Sequence, residues 1–196
     1  AGAAGCILAA VYMGDAHTDL AVSNGEKITG EDIKTDTGTD ILDKEAKKLG
    51  IELVAIRSNF TDTVFSENTE AEFTRFYDKL RQTDTLPVSS QPSPAEFLEL
   101  FEDAKEKEEE VVVITISSKL SGTYNGAMLA KDMAEYDNIY VVDSLLASLS
   151  ERLLVEYAVK LRDAGMGAKE LVRKLEQDRE RVILTGVPST LLYLKM

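Results

Sequence analysis

The stretch "VVVITISSKLSG", residues 111–122, indicates which fold this chain adopts. Its first six residues are an uninterrupted run dominated by β-branched side chains, which is typical of a strand buried on both faces in a parallel sheet. The following "SSKLSG" leads into a helix predicted over roughly residues 123–136. A buried strand that runs through a short loop into a helix is the repeating unit of α/β proteins.

Strands and helices continue to alternate on both sides of this stretch. Downstream, the pattern predicts a strand at 139–143, helices over about 145–163 and 168–179, and a strand in "RVILTGV". Upstream, "IELVAI" predicts a strand after a short helix that Asp40 caps and Gly50 ends. The sequence therefore predicts an α/β fold with a mostly parallel sheet flanked by helices.

Two further helices are predicted by capping boxes, in which a side chain at each position satisfies a backbone N–H of the other. Thr69 with Glu72 marks one helix start. Ser93 with Glu96 marks the other, where Pro94 occupies the first helical position. Ser93 therefore has a structural role in the predicted fold.

Three hydroxyl-rich loops lie where ligands bind in this class of fold. They are "TDTGTD" (35–40), "PVSSQP" (87–92) and "SSKLSGT" (117–123). Ligands of parallel sheets bind beyond the carboxyl ends of the strands, beside helix N-termini whose free N–H groups suit an anion. None of the loops carries a nucleotide-binding glycine fingerprint, so a smaller anion such as a carboxylate is favoured. Simple helix capping remains the alternative for each single loop.

Composition and charge exclude several classes of partner. The net charge is −13, from 35 acidic and 22 basic residues, which disfavours nucleic acids and anionic membranes. A chain of 196 residues buries roughly 70% of its surface on folding and needs no metal or disulfide for stability. The single cysteine, Cys6, favours a cytoplasmic location. The apolar start, residues 1–14, lacks the basic region of a secretory signal and is too short to span a bilayer, so we expect no stable membrane insertion.

"LPVSSQPSPAEF" together with "ITISSKLSGTYNGAMLA" resembles the DegV family of fatty-acid-binding proteins. Members of that family typically carry "LPTTSQPSP-EF" and "ISSxLSGTYxSA" at this separation, and "TDTGTD", "VVDSLLASLS" and "GVPSTLLYLK" are similar to further family segments. The resemblance covers about residues 35–195. It implies a DegV-like α/β lobe over 35–145 and the start of a second, incomplete lobe over 146–196, after a segment 1–34 of unassigned role.

The resemblance also implies a function. In the family, a long-chain fatty acid is buried between two lobes, and loop hydroxyls hold its carboxylate. Some members present that carboxylate to a separate fatty acid kinase (DhaK/DhaL-like), which makes the acyl phosphate. The chain would then be a carrier without catalytic residues, cofactor or metal. The ligand-binding residues that the resemblance implies are Ser89, Ser90, Ser117, Ser118, Ser121 and Gly122, with Thr37 as a weaker candidate.

In such a carrier the acyl chain would supply most of the affinity. Burying about fourteen methylenes at about 0.8 kcal/mol each gives an upper bound near 11 kcal/mol, before the cost of association. A hydrogen bond from a hydroxyl to a carboxylate contributes only about 1.5–3 kcal/mol. The serines would therefore orient the carboxylate, leaving it free of a permanent counter-charge and available as a nucleophile.

The sequence departs from the family pattern at four places. Val88 stands where threonine is common, and the polar "GEDIK" stands where an apolar strand precedes "TDTGTD". Ser150-Glu151-Arg152 replaces a glycine-rich segment, and we expect it to add bulk and charge near the acyl tail. The sequence stops at "YLKM", before the second-lobe arginine and histidine that approach the carboxylate in the family. The resemblance thus implies either that the sequence is a fragment, or that the N-terminal segment or a second subunit closes the groove.

Two other functions stay open at this point. One is a small serine-dependent α/β hydrolase or transferase, which the sequence disfavours because it has one histidine, His17, and no G-x-S-x-G elbow. The other is a degenerate interaction module that forms a homodimer without ligand.

Asp15, His17 and Asp19 could hold a metal ion, although a surface loop is the more common interpretation of such a triplet.

Overall fold

The computed structural model describes residues 8–13 and 31–187. Nine strands and six helices of this part of the chain alternate in the order expected for an α/β protein. The elements are β1 (Leu8–Met13), β2 (Glu31–Asp36), α1 (Asp43–Leu49), β3 (Ile51–Val54), β4 (Arg57–Asn59), β5 (Val64–Phe65), α2 (Glu70–Gln82), β6 (Val88–Ser90), α3 (Pro94–Glu106), β7 (Glu110–Thr115), α4 (Thr123–Ala134), β8 (Ile139–Asp143), α5 (Leu149–Asp163), α6 (Ala168–Asp178) and β9 (Val182–Val187).

The main sheet is four-stranded and parallel, with the strand order β3-β2-β7-β8. Its strand β7 is buried on both faces, and the side chains from Val111 to Ile114 are fully inaccessible. Phe97 and Phe101 of α3 pack with α4 on one face. Helices α5 and α6 pack on the other. The predicted fold class is therefore confirmed.

The central strand β2 contains a buried lysine, Lys34, which is 2% exposed. Its ammonium group pairs with Asp32 and with Glu52 on the neighbouring β3. Burial lowers the pKa of Lys34, but the hydrogen bonds and charges of these two carboxylates outweigh burial, so that the pKa is raised. Local ion pairing thus lets the polar "GEDIK" segment supply a strand at the centre of the sheet.

A small antiparallel sheet, in the order β5-β4-β6, lies beside helix α2. Three aromatic rings join the two, with ring centroids 5.5–5.8 Å apart in edge-on geometry: Phe60, Phe65 and Phe76. Because edge-on aromatic packing is favourable and buries much apolar area, this cluster fixes the small sheet on α2.

Two predicted helix starts differ from the structure. Asp40 does not cap α1: the N-cap is Leu42, and Asp40 instead adopts a left-handed φ of 57° at the end of a 3-10 turn, Thr37–Thr39. Helix α5 begins at Leu149 rather than near residue 145, because the chain between β8 and α5 makes a loop in which Leu145 and Ser148 have positive φ. The Ser93–Glu96 capping box is present as predicted.

The outer strands and helices complete the described part of the chain. Strand β9 pairs with β1 in a separate antiparallel sheet. Leu154 and Leu171, of helices α5 and α6, share one apolar cluster with Ile33, Ile114 and Val142 of the main sheet. The expected domain boundaries at 34/35 and 145/146 stay predictions. Within residues 8–13 and 31–187, no helix is long and apolar enough to cross a membrane.

Candidate functional site

A cavity of about 430 Å³ lies at the carboxyl edge of the main sheet, between that edge and the unit formed by the small sheet and α2. The ends of β2 and β7 both reach this edge, as expected for a ligand site in an α/β fold. The lining residues are Thr37, Gly38, Asp40, Ile56, Ser58, Phe65, Ser66, Glu67, Asn68, Glu72, Phe73, Phe76, Tyr77, Ser89, Gln91, Ile116, Leu120 and Ser121.

The 3-10 turn after β2 forms the floor of the cavity. Buried Asp36 holds this turn, since its carboxylate accepts hydrogen bonds from the N–H groups of Gly38 (2.9 Å) and Ile116 (2.7 Å). Thr37 Oγ1 accepts a hydrogen bond from the N–H of Ile56 (2.9 Å), at the start of the small sheet. The turn therefore connects the main sheet to the structure that covers the cavity.

Ser89 reaches the cavity from the small sheet. Strand β6 pairs with β4 so that Ser89 lies opposite Ser58, and both side chains line the cavity. Within the described part of the chain, the Ser89 hydroxyl has no hydrogen-bond partner. The Ser89 hydroxyl is therefore available to a ligand. Arg57 lies on the other face of the strand pair, where it forms an ion pair with Glu96 that lowers the pKa of Glu96 to about 2.

Ser121 reaches the same cavity from the loop between β7 and α4. Its hydroxyl lies 2.9 Å from that of Thr123 and accepts a hydrogen bond of 3.3 Å from the Thr123 N–H. This bond joins residues two apart and orders the loop just before α4, whose N-cap residue, Gly122, makes no side-chain cap hydrogen bond. These two contacts fix the direction of the Ser121 hydroxyl at the cavity wall.

Two of the expected ligand residues face away from the cavity. Side chains alternate along a strand, so Ser90 points to the opposite face from Ser89, where its hydroxyl accepts a hydrogen bond from the Asn59 amide (3.0 Å). Ser117 is 3% exposed, and its hydroxyl accepts a hydrogen bond from the Lys119 N–H (3.2 Å). Neither serine lines the cavity.

Ser118 and Gly122 do not line the cavity either. The N–H of Ser118 donates to the Asp143 carboxylate at the end of β8 (3.0 Å), which fixes the loop. Because Gly122 has no side chain, another group can approach its backbone closely, as expected. That group is the Gln91 side chain. The structure therefore brings together Thr37, Ser89 and Ser121 from the predicted set.

Gln91 is a site residue that the sequence did not single out. It follows the paired serines directly, lines the cavity, and lies against Gly122 at the start of α4. Its amide can donate hydrogen bonds, so it adds a neutral donor between the loops of Ser89 and Ser121. The only sequence feature that pointed to Gln91 was its position directly after the predicted ligand residues Ser89 and Ser90.

The apolar wall of the cavity is aromatic. Phe65, Phe73 and Phe76 line it on the side of the small sheet and α2. Phe65 and Phe76 belong to the edge-on aromatic cluster and are therefore held rigidly. The cavity thus has a hydroxyl-bearing end and a hydrocarbon-like end, which suits an amphipathic ligand.

Carboxyl groups dominate the electrostatics of the site. The described lining residues include three acids, Asp40, Glu67 and Glu72, and no lysine, arginine or histidine. The Glu72 carboxylate already accepts hydrogen bonds from the N–H groups of Ser66 and Glu67, each 2.8 Å long. Burial raises the pKa of Asp36, below the floor, to about 6. Hydroxyl, amide and backbone donors are accordingly what the described site offers an anion.

The segment Ser150-Glu151-Arg152 lies elsewhere than expected. None of its residues lines the cavity, and the expectation that they add bulk and charge near an acyl tail stays a prediction. Arg152 pairs with Glu45 and Glu156. Glu151 is buried behind the 3-10 turn, since it is 0% exposed and lies beside Gly38.

The fold and the cavity define an α/β protein with a hydroxyl-bearing, aromatic-walled cavity at the carboxyl edge of a parallel sheet. The chain belongs to the DegV family, whose profile, "Uncharacterised protein, DegV family", matches residues 32–196. The resemblance inferred from the serine loops is thereby confirmed.

Relatives and solved structures agree with this assignment. A DegV domain-containing protein of Caldanaerobacter subterraneus is 32% identical over 150 residues, which cover 76% of this chain and 53% of that protein. The structure of a Thermotoga maritima protein with fatty acid binding function matches with a TM-score of 0.68 and 33% identity, over 76% of this chain and 54% of that one. The fatty acid kinase B3 protein of Streptococcus pneumoniae, loaded with linoleic acid, matches with a TM-score of 0.65 and 28% identity. The match covers 78% of this chain and 55% of that one. The chain spans about half the length of these relatives.

The other candidate sites from the sequence fall outside the described residues. Asp15, His17 and Asp19 lie in 14–30, and Cys6 lies in 1–7. Within 8–13 and 31–187 there is no cluster of three or more acidic, histidine or cysteine side chains arranged to hold a metal ion.

Proposed function

We propose that this chain binds a long-chain fatty acid in the cavity described above, in the cytoplasm, and acts as a carrier rather than as an enzyme. The carboxylate would lie among Thr37, Ser89, Ser121 and Gln91, and the acyl chain would extend along the aromatic wall. One observation carries the proposal: the hydroxyls of three separate loops meet in one cavity whose opposite wall is apolar.

The chemistry of the lining supports a carboxylate ligand in particular. The unpartnered Ser89 hydroxyl can donate a charge-assisted hydrogen bond, and the Gln91 amide supplies further donors. An extended hydrocarbon gains most of its binding free energy from contact with Phe65, Phe73 and Phe76. Affinity and orientation would therefore come from different ends of the cavity.

A neutral set of donors also suits presentation to a kinase. Hydroxyl and amide groups bind a carboxylate less strongly than a lysine or arginine side chain would, and the described lining of the cavity has neither cation. A carboxylate oxygen therefore stays nucleophilic. The Streptococcus pneumoniae relative is a fatty acid kinase B protein, which supports a partner kinase for this chain as well. In the proposed reaction a carboxylate oxygen attacks the γ-phosphorus of ATP on the kinase, and ADP leaves.

Mass spectrometry of bound lipid tests the binding step. The purified chain is extracted with organic solvent, and the extract is expected to hold C14–C18 acids in nearly stoichiometric amount. The variant Phe76→Ala, which removes part of the apolar wall, should lose most of that lipid. A wild-type protein that yields no acid, even after incubation with palmitate, would refute the proposal.

Two serine variants test the presentation step. Ser89→Ala and Ser121→Ala should lower acyl phosphate formation by a fatty acid kinase more than they lower lipid content, because the tail supplies most of the affinity. Ser90→Ala is the matched control, since its hydroxyl faces away from the cavity. Equal phosphorylation by all four proteins would show that these serines do not orient the head group.

A further inference from the structure

Glu151 is a buried carboxyl group without a hydrogen-bond partner. It lies in the first turn of α5, is 0% exposed, and neither of its oxygens has a partner in the described part of the chain. An unpaired carboxylate is strongly disfavoured in such a place, so the group holds a proton instead. The site and the fold described above make no use of this group.

Glu151 lies directly behind the floor of the ligand cavity. A Cβ atom placed on Gly38 would be 3.3 Å from Glu151 Oε2 and 2.6 Å from Asp36 Oδ1. The other side of the same turn, at Thr37 and Gly38, lines the cavity. The Ser148 N–H, at the start of α5, donates to the Gly38 carbonyl (2.8 Å) and ties the helix to the turn. A single layer of backbone thus separates the cavity from two carboxyl groups.

The ionisable groups that act on Glu151 are acidic. Asp36 at the end of β2 and Asp40 after the turn both disfavour its ionisation. Arg152, the next residue of α5, turns its guanidinium to Glu45 of α1 and to Glu156. Among the described side chains, no cation of α1 or α5 therefore neutralises Glu151.

The other elements packed on α5 supply no counter-charge among their described side chains. Around α6, Lys174 pairs with Asp178, and Arg179 donates to the carbonyl of Asp143. Strand β9, "VILTGV", has no ionisable residue. Lys34 of β2 is paired with Asp32 and Glu52. Glu151 and Asp36 can therefore lose a proton only by adding a negative charge beneath the cavity.

We propose that Glu151 is a positioning residue whose ionisation state sets the affinity of the cavity for an anionic head group. A protonated Glu151 adds no charge behind the turn and lets the anion rest on Thr37 and Gly38. An ionised Glu151 places a negative charge behind the same turn and repels the anion. This inference rests on the proposed function and adds to it a proton-linked control of binding and release.

The direction of the pH dependence follows from burial. Burial raises the pKa of Asp36 to about 6, and burial together with the charges of Asp36 and Asp40 raises that of Glu151 well above its ordinary value. The floor therefore gains negative charge as the pH rises from 5 to 9, and an anionic ligand should bind more weakly. Charges separated by one layer of backbone, at an effective dielectric constant of about 20, should weaken binding at least about tenfold.

Two C16 probes separate this effect from titration of the ligand itself. Hexadecane-1-sulfonate stays ionised throughout pH 5 to 9, and hexadecanol stays neutral. Titrations of the full chain at pH 5, 7 and 9 should show at least about a tenfold loss of affinity for the sulfonate. Affinity for hexadecanol should change by less than about twofold, because a neutral head group does not feel the added charge.

Three variants assign the effect to Glu151. Glu151→Gln and Glu151→Leu remove the ionisable group with different shapes, so both should show a smaller decrease in sulfonate affinity between pH 5 and pH 9 than the wild type does. Glu156→Gln removes a carboxylate from the same helix but on its Arg152 side, and should keep the wild-type profile. Identical profiles for wild type and both Glu151 variants would overturn the inference, as would an equal pH dependence for hexadecanol. If the wild type binds no C16 ligand at any pH, the proposed function itself fails.

Discussion

The side chain of Gln91 occupies the space that a side chain at Gly122 would need. A Cβ atom added to Gly122 would collide with the carboxamide of Gln91, whereas one added to Gly126, one turn later, would be 3.6 Å from the Pro92 carbonyl and in ordinary contact. Gly122 is therefore glycine because the loop of residues 87–92 crosses the start of α4 at that point. This crossing brings Ser89 and Ser121 to one cavity.

Gly122→Ala should displace Gln91 and impair ligand retention. The Gln91 side chain is exposed and flexible, so it can move, and the free energy of unfolding should fall by no more than about 1 kcal/mol. The amount of co-purified C14–C18 acid should fall more clearly, because Gln91 leaves the cavity wall. Urea unfolding and lipid mass spectrometry on the same preparation measure the two effects.

Two controls identify Gln91 as the cause. Gly126→Ala should keep its lipid and should raise the free energy of unfolding by about 0.5–1 kcal/mol, since alanine is favoured over glycine inside a helix. In a Gln91→Ala background the collision is absent, so Gly122→Ala should have no further effect. Additive losses in the double variant would contradict the explanation.

The sequence carries enough information for the main sheet but not for all of its strands. The apolar run at 111–114 predicts a strand buried on both faces, and that burial follows from composition alone. The strand around Lys34 was not predicted, because its burial depends on Glu52, eighteen residues away in sequence and adjacent only once β3 has paired. A charge that is neutralised by a partner distant in sequence leaves no local sequence pattern from which a buried strand could be predicted.

The candidate site, like the main sheet, could be predicted from the sequence only in part. The serine loops predict a ligand site at the carboxyl edge, and the structure does bring Thr37, Ser89 and Ser121 to one cavity there. Whether Ser89 or Ser90 faces that cavity depends on the pairing of β6 with β4, and the sequence did not predict that pairing. Strand register, rather than residue type, selects the lining hydroxyl.

Thr37→Val should weaken the connection between the two sheets. The change removes the acceptor of the Ile56 N–H at 2.9 Å while keeping a branched side chain of nearly the same volume. We expect the free energy of unfolding to fall by about 1 kcal/mol, and the Ile56 amide to exchange with solvent faster. Thr37→Ser keeps the hydroxyl and should retain slow exchange. Equal exchange rates in wild type and Thr37→Val would mean that this hydrogen bond does not hold the small sheet.

Glu96→Gln should destabilise the protein at neutral pH but not near pH 2. The hydrogen bond from Arg57 lowers the pKa of Glu96 to about 2, so the pair stabilises the fold above the ordinary pKa of a glutamate and loses that effect as the pH falls towards 2. Glutamine keeps a capping oxygen for Ser93 but no charge. At pH 7 we expect a loss of about 0.5–1 kcal/mol for this partly exposed pair.

Thermal unfolding from pH 7 down to pH 2 measures this difference. Glu99, which is exposed on the same helix, supplies the control variant Glu99→Gln, whose unfolding midpoint should stay close to that of the wild type at every pH. A gap between wild type and Glu96→Gln that persists at pH 2 would argue that the lost contact is not an ion pair.

Glu151→Gln should stabilise the protein at alkaline pH and have little effect in acid. The pKa of Glu151 is raised in the folded chain, so the folded state binds the proton more tightly than the unfolded chain does. The stability that this proton confers is fully present below the ordinary glutamate pKa of 4.5 and is lost as the pH rises towards the folded pKa. Glutamine stays neutral and avoids that loss. Its unfolding midpoint at pH 8 should exceed that of the wild type by at least about 3 °C, and the two should coincide near pH 4. Glu156→Gln, which removes an ion pair with Arg152, should give no such gain at pH 8, and a Glu151→Gln midpoint below that of the wild type at pH 8 would show that Glu151 is buried in its charged form.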